Sequence, residues 1–207
     1  MQGDDLKAWR KQQRKRLIEA RLAVDAETRN RWRGHIDLTL ERHFPDLASE
    51  TLAFCWPIQG EYDARYLVRQ LRERGGITAL PVVVGAGKPL IFREWHPGIP
   101  LVEGALGIPY PPESLEVTPT AVLLPMNGWD AKGYRLGYGA VFFDRTLAAF
   151  PRRPVVIGVT FELARMDTIY PQDWDIPADF VVTEKGLYRP GPDGLLTDEQ
   201  VEEIEHH

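Results

Sequence analysis

The spacing of hydrophobic and polar positions changes near residue 45. Residues 4–44 are charged and nearly free of glycine and proline. From residue 32 to residue 44 an apolar side chain recurs at every fourth position, which is the spacing of one apolar helix face. Residues 25–28 (Asp-Ala-Glu-Thr) carry the N-cap pattern of a helix start. The segment is therefore predicted to form two consecutive helices, the second ending before Pro45.

Short apolar runs replace the helical spacing after residue 50. These runs are bounded by glycine or proline, which is typical of strands buried on both faces. Helices are predicted between them, over residues 62–74 and 140–149. This alternation predicts an α/β fold with a mostly parallel sheet and helices on both faces. The predicted strands cover residues 51–56, 77–84, 90–95, 120–125, 155–160 and 179–183. Residues 96–118, rich in proline, are predicted to form a long loop.

Composition narrows the classes of protein that remain. The 207 residues are 43% hydrophobic and 27% charged, which suits one domain of ordinary size with a sizeable core. The net charge of −5 argues against general binding to nucleic acid, and the chain has no apolar stretch long enough for a membrane span. The single cysteine, Cys55, excludes an internal disulfide and is predicted to be a small buried hydrophobe. The expected location is the cytoplasm.

The densest candidate chemistry lies in residues 133–145, after a predicted strand and at the start of a helix. Glycines there let the backbone approach a phosphate, and the helix start offers unpaired N–H groups. Arg135 is suited to phosphate oxygens, and Asp144 is suited to Mg²⁺ beside a phosphate. The segment matches neither the Walker A pattern nor GxGxxG. A turn entering an aromatic helix with a solvated Asp144 explains the same pattern.

Other charged residues also allow two interpretations. Lys7, Arg10 and Arg14 fall on one helix face, which is either solvated or a cationic stripe for a phosphate chain. Glu61, just after a strand, either holds a polar ligand or caps the next helix. Asp175 lies in an aspartate cluster, which either provides a second metal carboxylate or forms turns.

Taken together, these segments resemble the 5-formyltetrahydrofolate cyclo-ligase family, also called methenyltetrahydrofolate synthetase, from about residue 6 to residue 188. The strongest stretch runs from residue 124 to residue 145, and further matches lie along the chain. The matching residues in that stretch are Pro125, Asp130, Gly133, Arg135, Leu136, Gly137, Tyr138, Gly139, Asp144 and Arg145. The further matches are Arg10, Lys11, Arg14, Glu61, Leu80, Pro81, Gly107, Ile108, Pro111, Asp175, Asp179 and residues 182–186.

The resemblance implies a Rossmann-like three-layer α/β/α sandwich with a mostly parallel central sheet and an N-terminal helical pair. Residues 1–189 are expected to form a single cyclo-ligase-like domain, followed by a polar tail over residues 190–207. The last two histidines are set aside because they resemble a tag remnant. The implied partners are ATP and a reduced folate, without nucleic acid or membrane, in a monomer or weak dimer.

The implied activity uses Mg²⁺ and ATP to convert 5-formyltetrahydrofolate into 5,10-methenyltetrahydrofolate, with release of ADP and phosphate. The formyl oxygen is phosphorylated first, because phosphorylation turns a poor leaving group into a good one. The protein then contributes mainly positioning and charge neutralisation.

The resemblance also assigns site residues by position. Arg135 and Asp144 are the implied catalytic residues, and Asp144 and Asp175 the implied metal ligands. The implied folate contacts are Trp56, Glu61, Tyr138 and Phe142. The implied ATP contacts are Lys7, Arg10, Arg14, Arg135, Leu136, Gly137, Tyr138, Gly139, Ala140, Val141, Phe142 and Phe143.

The chain departs from the family pattern next to this motif. Ala140 and Val141 stand where the family has small or basic residues, and a β-branched valine poorly replaces glycine beside a phosphate. Phe142 and Phe143 lack the usual hydroxyls, and Trp174 stands where a histidine often precedes the aspartate. Two functions stay open: an active cyclo-ligase, or a non-ligase paralogue that binds a folate or another heterocycle. A partner-binding role is disfavoured by the acidic balance.

Overall fold

An eight-stranded sheet forms the centre of the computed structural model, which describes residues 2–139, 142–191 and 194–197. Two short antiparallel hairpins, β4–β5 and β7–β8, lie outside this sheet. In chain order the strands of the described residues are β1 (Thr51–Ala53), β2 (Ile77–Val82), β3 (Ile91–Trp95), β4 (Val102–Glu103), β5 (Pro109–Tyr110), β6 (Ala121–Pro125), β7 (Gly128–Trp129), β8 (Arg135–Leu136), β9 (Val155–Val159), β10 (Phe180–Thr183), β11 (Gly186–Gly191) and β12 (Gly194–Thr197).

The strand order in the sheet is β12-β11-β10-β9-β6-β1-β2-β3. The five strands from β10 to β2 run parallel to one another, whereas β3 at one edge and β11 and β12 at the other are antiparallel to their neighbours. The carboxyl ends of the five parallel strands therefore meet at one edge of the sheet.

Helices cover both faces of the sheet because its strands are apolar on both sides. Alternate residues of β6 belong to different cores: Leu123 packs in the core that includes α2 and α3, and Leu124 packs with Leu147 of α4. The described helices are α1 (Gly3–Leu22), α2 (Ala26–His43), α3 (Arg65–Glu73) and α4 (Phe142–Ala149). The predicted three-layer α/β/α fold with a mostly parallel sheet and an N-terminal helical pair is confirmed.

The boundary between the first two helices lies where the sequence predicts it. The side chain of Asp25 accepts a hydrogen bond from the backbone N–H of Thr28 at 2.7 Å, which satisfies a free donor in the first turn of α2. A small separate core of Leu17, Leu136 and Ile169 fixes α1 to the β7–β8 hairpin and to a later loop. None of the described helices is long and apolar enough to cross a membrane.

Two segments differ from the sequence-based expectation. The predicted loop over residues 96–118 contains the β4–β5 hairpin, whose strands have only two residues each and leave little periodicity to detect. The predicted start of the polar tail at residue 190 lies inside β11, and β12 pairs with that strand. Residues 190–207 are polar on average, but they include the apolar pair Leu195 and Leu196, which lies within β12.

Candidate active site

A cleft opens at the carboxyl ends of β1, β2 and β6. Its floor includes Cys55 and Trp56, which follow β1, together with Val83 after β2 and Pro125 at the end of β6. Helix α1, the β4–β5 hairpin and the start of α4 form its walls. Ligands of open α/β sheets bind beyond the carboxyl ends of parallel strands, so this cleft is the candidate site.

Two arginines, one turn apart on α1, form the basic wall of the cleft. Arg10 donates to the carboxylate of Asp175, with 2.7 Å between Nη2 and Oδ2, and to the carbonyl of Tyr170 at 3.1 Å. Arg14 donates through Nε to the carbonyl of Gly137. Burial, and then the positive charge of Arg10, lower the pKa of Arg14. Both helix residues are thus fixed to segments more than a hundred residues away.

A third arginine and an aspartate belong to the same wall. Nη2 of Arg135, on β8, is 3.8 Å from Oδ2 of Asp144 in the first turn of α4. The two side chains are only 9% and 12% exposed. The guanidinium of Arg135 also lies 5.6 Å from the ring centre of Phe143. Asp144 accepts a hydrogen bond from the amide of Ile176 at 3.1 Å, which ties it to the loop that carries Asp175.

Two of the guanidinium groups in this wall have an N–H donor without a hydrogen-bond partner among the described residues. The Nε atoms of Arg10 and Arg135 are buried, and neither has an acceptor among the described residues. Buried donors without partners are rare because each costs free energy. Guanidinium groups pair strongly with phosphate oxygens, so this wall is suited to an anion with several oxygens.

The two aspartates predicted as metal ligands, Asp144 and Asp175, both line the cleft. Across the part of the chain that the structure describes, no group of three or more His, Cys, Asp or Glu side chains could hold a metal ion. A pair of carboxylates fits Mg²⁺ in the form in which it usually binds beside a nucleotide, where phosphates and water complete the coordination.

The other side of the cleft carries a carboxylate and aromatic rings. Glu61 accepts hydrogen bonds from the amide of Ile58 at 3.0 Å and from the hydroxyl of Tyr138 at 3.1 Å. Burial raises the pKa of Glu61, partly offset by these hydrogen bonds and by the positive charge of Arg21. Trp56 is half-buried, and the guanidinium of Arg65 lies 4.7 Å from its ring centre. This side can accept donors from a flat polar ring and cover its face.

Most of the residues predicted for the site line this cleft. The residues that do so are Arg10, Arg14, Trp56, Glu61, Arg135, Leu136, Gly137, Tyr138, Gly139, Phe142, Phe143, Asp144 and Asp175. Lys7 does not: it is exposed on α1 and is not part of the described lining, because Arg10 and Arg14 occupy the turns that face the cleft. Ala140 and Val141 lie outside the described residues.

Sequence reasoning missed other residues at the cleft. Cys55 is half-buried and lines the floor, although burial still raises the pKa of its thiol. Trp174 lines the rim and is 57% exposed. Asn127 and Arg21 lie behind the cleft, and both are buried. Two of these residues had a usable signal: Asn127 lies two residues after the end of β6, and Trp174 precedes Asp175.

The fold is that of an α/β protein, and its cleft combines two kinds of lining: charged side chains, and a carboxylate with aromatic rings. Arginines and aspartates on one side are typical of a phosphate-bearing ligand with a divalent cation. A carboxylate beside aromatic rings on the other side is typical of a flat, nitrogen-rich ligand.

The chain belongs to the 5-formyltetrahydrofolate cyclo-ligase family, whose model matches residues 6–184. The 5-formyltetrahydrofolate cyclo-ligase of Escherichia coli (strain K12) is 31% identical over 152 residues, which cover 70% of this chain and 83% of that protein. The protein of the same name from Mycolicibacterium smegmatis is 30% identical over 148 residues, 67% of this chain and 76% of that protein. The predictions of the family and of an enzyme of this kind are confirmed.

Solved structures agree with this assignment. The NMR structure of Aquifex aeolicus 5,10-methenyltetrahydrofolate synthetase superposes with a TM-score of 0.76 at 28% identity, covering 87% of this chain and 92% of that chain. A 5,10-methenyltetrahydrofolate synthetase from Mycoplasma pneumoniae has a TM-score of 0.69 at 18% identity, covering 84% of this chain and 98% of that chain, and shares the fold.

Proposed function

We propose that this chain converts 5-formyltetrahydrofolate into 5,10-methenyltetrahydrofolate with Mg²⁺ and ATP, releasing ADP and phosphate. The observation that carries the proposal is one cleft whose lining includes three arginines and two aspartates together with Glu61 and aromatic rings. The relatives that match most of the chain bear the name of this reaction.

On the basic side, the three arginines bind the phosphates of ATP. The unpaired Nε donors of Arg10 and Arg135 are available for phosphate oxygens without loss of any other hydrogen bond. Asp144 and Asp175 hold Mg²⁺ together with those oxygens. The ion supplies neutralisation of the negative charge on the transferred phosphoryl group.

On the aromatic side, Glu61 accepts hydrogen bonds from the N–H groups of the pterin. The ionised form accepts through both oxygens, whereas protonation turns one of them into a donor, so the carboxylate binds these N–H groups better. Trp56 and Phe142 cover the ring faces, and Tyr138 holds Glu61 from the side. In this proposal the formyl group lies between the pterin and the arginines.

The chemistry that this placement supports has two steps. The formyl oxygen attacks the γ-phosphorus of ATP, the bond to the ADP oxygen breaks, and ADP leaves with that electron pair. The neighbouring amine nitrogen then attacks the formyl carbon, the carbon–oxygen bond breaks, and phosphate leaves while the amine loses its proton. The side chains of the cleft contribute orientation and charge neutralisation, which are the main sources of catalysis in phosphoryl transfer.

The experiment is a direct assay with the purified chain, 5-formyltetrahydrofolate, Mg²⁺ and ATP, followed by the absorbance of the methenyl product. We expect a rise that requires ATP, releases one ADP per product and stops when the divalent cation is chelated. A flat trace from a folded protein, combined with calorimetric binding of the folate without nucleotide, would instead identify a non-ligase paralogue. The predicted monomer or weak dimer stays a prediction that the same preparation can test by light scattering.

A further inference from the structure

A buried arginine behind the cleft connects its two sides. Arg21 lies near the end of α1 and is 3% exposed. Its guanidinium donates to three acceptors on different segments: the carbonyl of Gln59 at 2.9 Å, the side-chain oxygen of Asn127 at 2.9 Å and the hydroxyl of Tyr138 at 3.4 Å. A guanidinium is a rigid planar fork, so three such acceptors fix one another's positions.

The first acceptor belongs to the turn that presents Glu61. Gln59 has a φ of 49° and Gly60 a φ of 77°, so two consecutive residues of this turn occupy the left-handed region. A non-glycine residue adopts that region only where the surroundings hold it. The amide of Glu61 closes the turn on the carbonyl of Ile58 at 3.0 Å, and Arg21 holds the carbonyl of Gln59 between them.

The other two acceptors connect Arg21 to Gly137 and to the carboxylate of Glu61. Asn127 links Arg21 to Gly137, because its side-chain amide donates to the carbonyl of Gly137 at 3.3 Å. Tyr138 links Arg21 to Glu61, because its hydroxyl donates to the second carboxylate oxygen of Glu61 at 3.1 Å. Glu61 is therefore held from its backbone side and from its carboxylate side by groups that Arg21 positions.

We propose that Arg21 is a positioning residue for the folate: it sets the orientation and the charge of Glu61 without touching the substrate. This inference rests on the proposed function, because it takes Glu61 as the acceptor for the pterin. It adds a residue outside the cleft lining on which recognition of the folate depends.

The charge of Arg21 predicts a pH effect that a merely structural residue would not show. Among the residues that the structure describes, Glu61 interacts with the charge of Arg21, the Tyr138 hydroxyl and the Cys55 thiol. Burial raises the pKa of Glu61, and the positive charge of Arg21 lowers it. Removal of that charge raises the pKa of Glu61 further, so the carboxylate becomes protonated at a higher pH. In a plot of kcat/KM for the folate against pH, the fall in activity on the acidic side then begins at a higher pH.

The test compares the pH profile of kcat/KM for the folate, together with both KM values, in the wild type, Arg21→Met and Arg21→Lys. We expect Arg21→Met to raise the KM for the folate about tenfold, because a hydrogen-bonded charge is lost, and to shift the acidic limb upward. Arg21→Lys keeps the positive charge but loses the planar guanidinium, so it raises the KM for the folate and leaves the acidic limb of the pH profile at the same pH. The KM for ATP changes less than the KM for the folate, because Arg21 reaches the basic wall only through Asn127 and the carbonyl of Gly137.

The matched control is Arg16→Met on the same helix, where the exposed guanidinium donates to Gln13. Its kinetic constants should equal those of the wild type. If Arg21→Met does not fold, Arg21→Lys decides: a folate KM within twofold of the wild type overturns the inference. The inference is likewise overturned by a folded Arg21→Met with an unchanged limb and KM. A wild type without ATP-dependent product overturns the proposed function instead.

Discussion

The sharpest test of the basic wall is a methyl group added at Gly137. A Cβ atom at this position would lie 2.4 Å from Nη1, 3.4 Å from Cζ and 3.7 Å from Nη2 of Arg135. The φ of Gly137 is not in the left-handed region, so alanine adds no backbone strain there. Gly137→Ala therefore perturbs the position of one guanidinium and little else.

The expected loss of activity in Gly137→Ala follows from the steric overlap between the new Cβ atom and Nη1 of Arg135. A carbon atom 2.4 Å from a nitrogen has to gain about 1 Å to reach ordinary contact, and a misplacement of that size at a reacting centre costs about a hundredfold in rate. A hundredfold corresponds to about 2.7 kcal/mol of transition-state stabilisation. Arg135 lies against Asp144 and Phe143 and lines the cleft, so the added methyl group displaces its guanidinium from these neighbours into the cleft at little cost in stability.

The assay is kcat/KM with respect to ATP, measured through the methenyl absorbance, beside the free energy of unfolding in urea. We expect kcat/KM to fall about a hundredfold and the unfolding free energy to change by less than about 1 kcal/mol. The matched control is Gly34→Ala in α2, where a Cβ meets nothing within 4 Å. The control should keep full activity and gain up to about 1 kcal/mol of stability. A Gly137→Ala enzyme with kcat/KM within twofold of the wild type would refute the role of Arg135.

Three further predictions follow from other parts of the structure. Asp144→Asn keeps an acceptor but loses the charge, so kcat should fall about a hundredfold with an unchanged circular dichroism spectrum; full activity would exclude Asp144 from the site. Burial, which outweighs the hydrogen bond from Tyr62 and the charge of Arg33, raises the pKa of Asp37 to about 6. That value lies above the pKa of about 4 in the unfolded chain, so the unfolding free energy should decrease from about pH 4 to about pH 6 relative to Asp37→Asn; parallel curves would contradict this. Leu123→Ala empties a 1%-exposed core position and should cost about 2–5 kcal/mol in urea unfolding, whereas less than about 1 kcal/mol would contradict its packing.

The sequence predicts the sheet well because its signal is local. Strands such as β6 and β9 are uninterrupted apolar runs, since both of their faces are covered, and that pattern needs no knowledge of the rest of the chain. The segment that carries Arg135 and Asp144 was equally visible, because glycines and charges are concentrated between a strand and a helix.

The contacts that organise the site were not predictable from local pattern. Arg21 lies in the charged segment of residues 4–44, where no local pattern distinguishes it from its neighbours, yet its acceptors lie 38, 106 and 117 residues away in sequence. Cys55 occupies an apolar run that predicts full burial, whereas its position just beyond β1 leaves it at the cleft floor. In both cases the deciding partner lies on another element, and one sequence does not show which elements meet.

The attachments of α1 impose an order on the assembly of the protein. Arg10 is separated from Asp175 by 165 residues, Arg14 from Gly137 by 123, and Leu17 packs on Leu136 and Ile169. Loops of this length close late, after local elements and neighbouring strands have formed. On the ribosome, α1 is complete long before the residues that receive it have been made. A nascent chain can therefore build β1, β2 and β6 while its basic helix is still undocked, and the wall proposed for ATP forms only after residue 175 has been made.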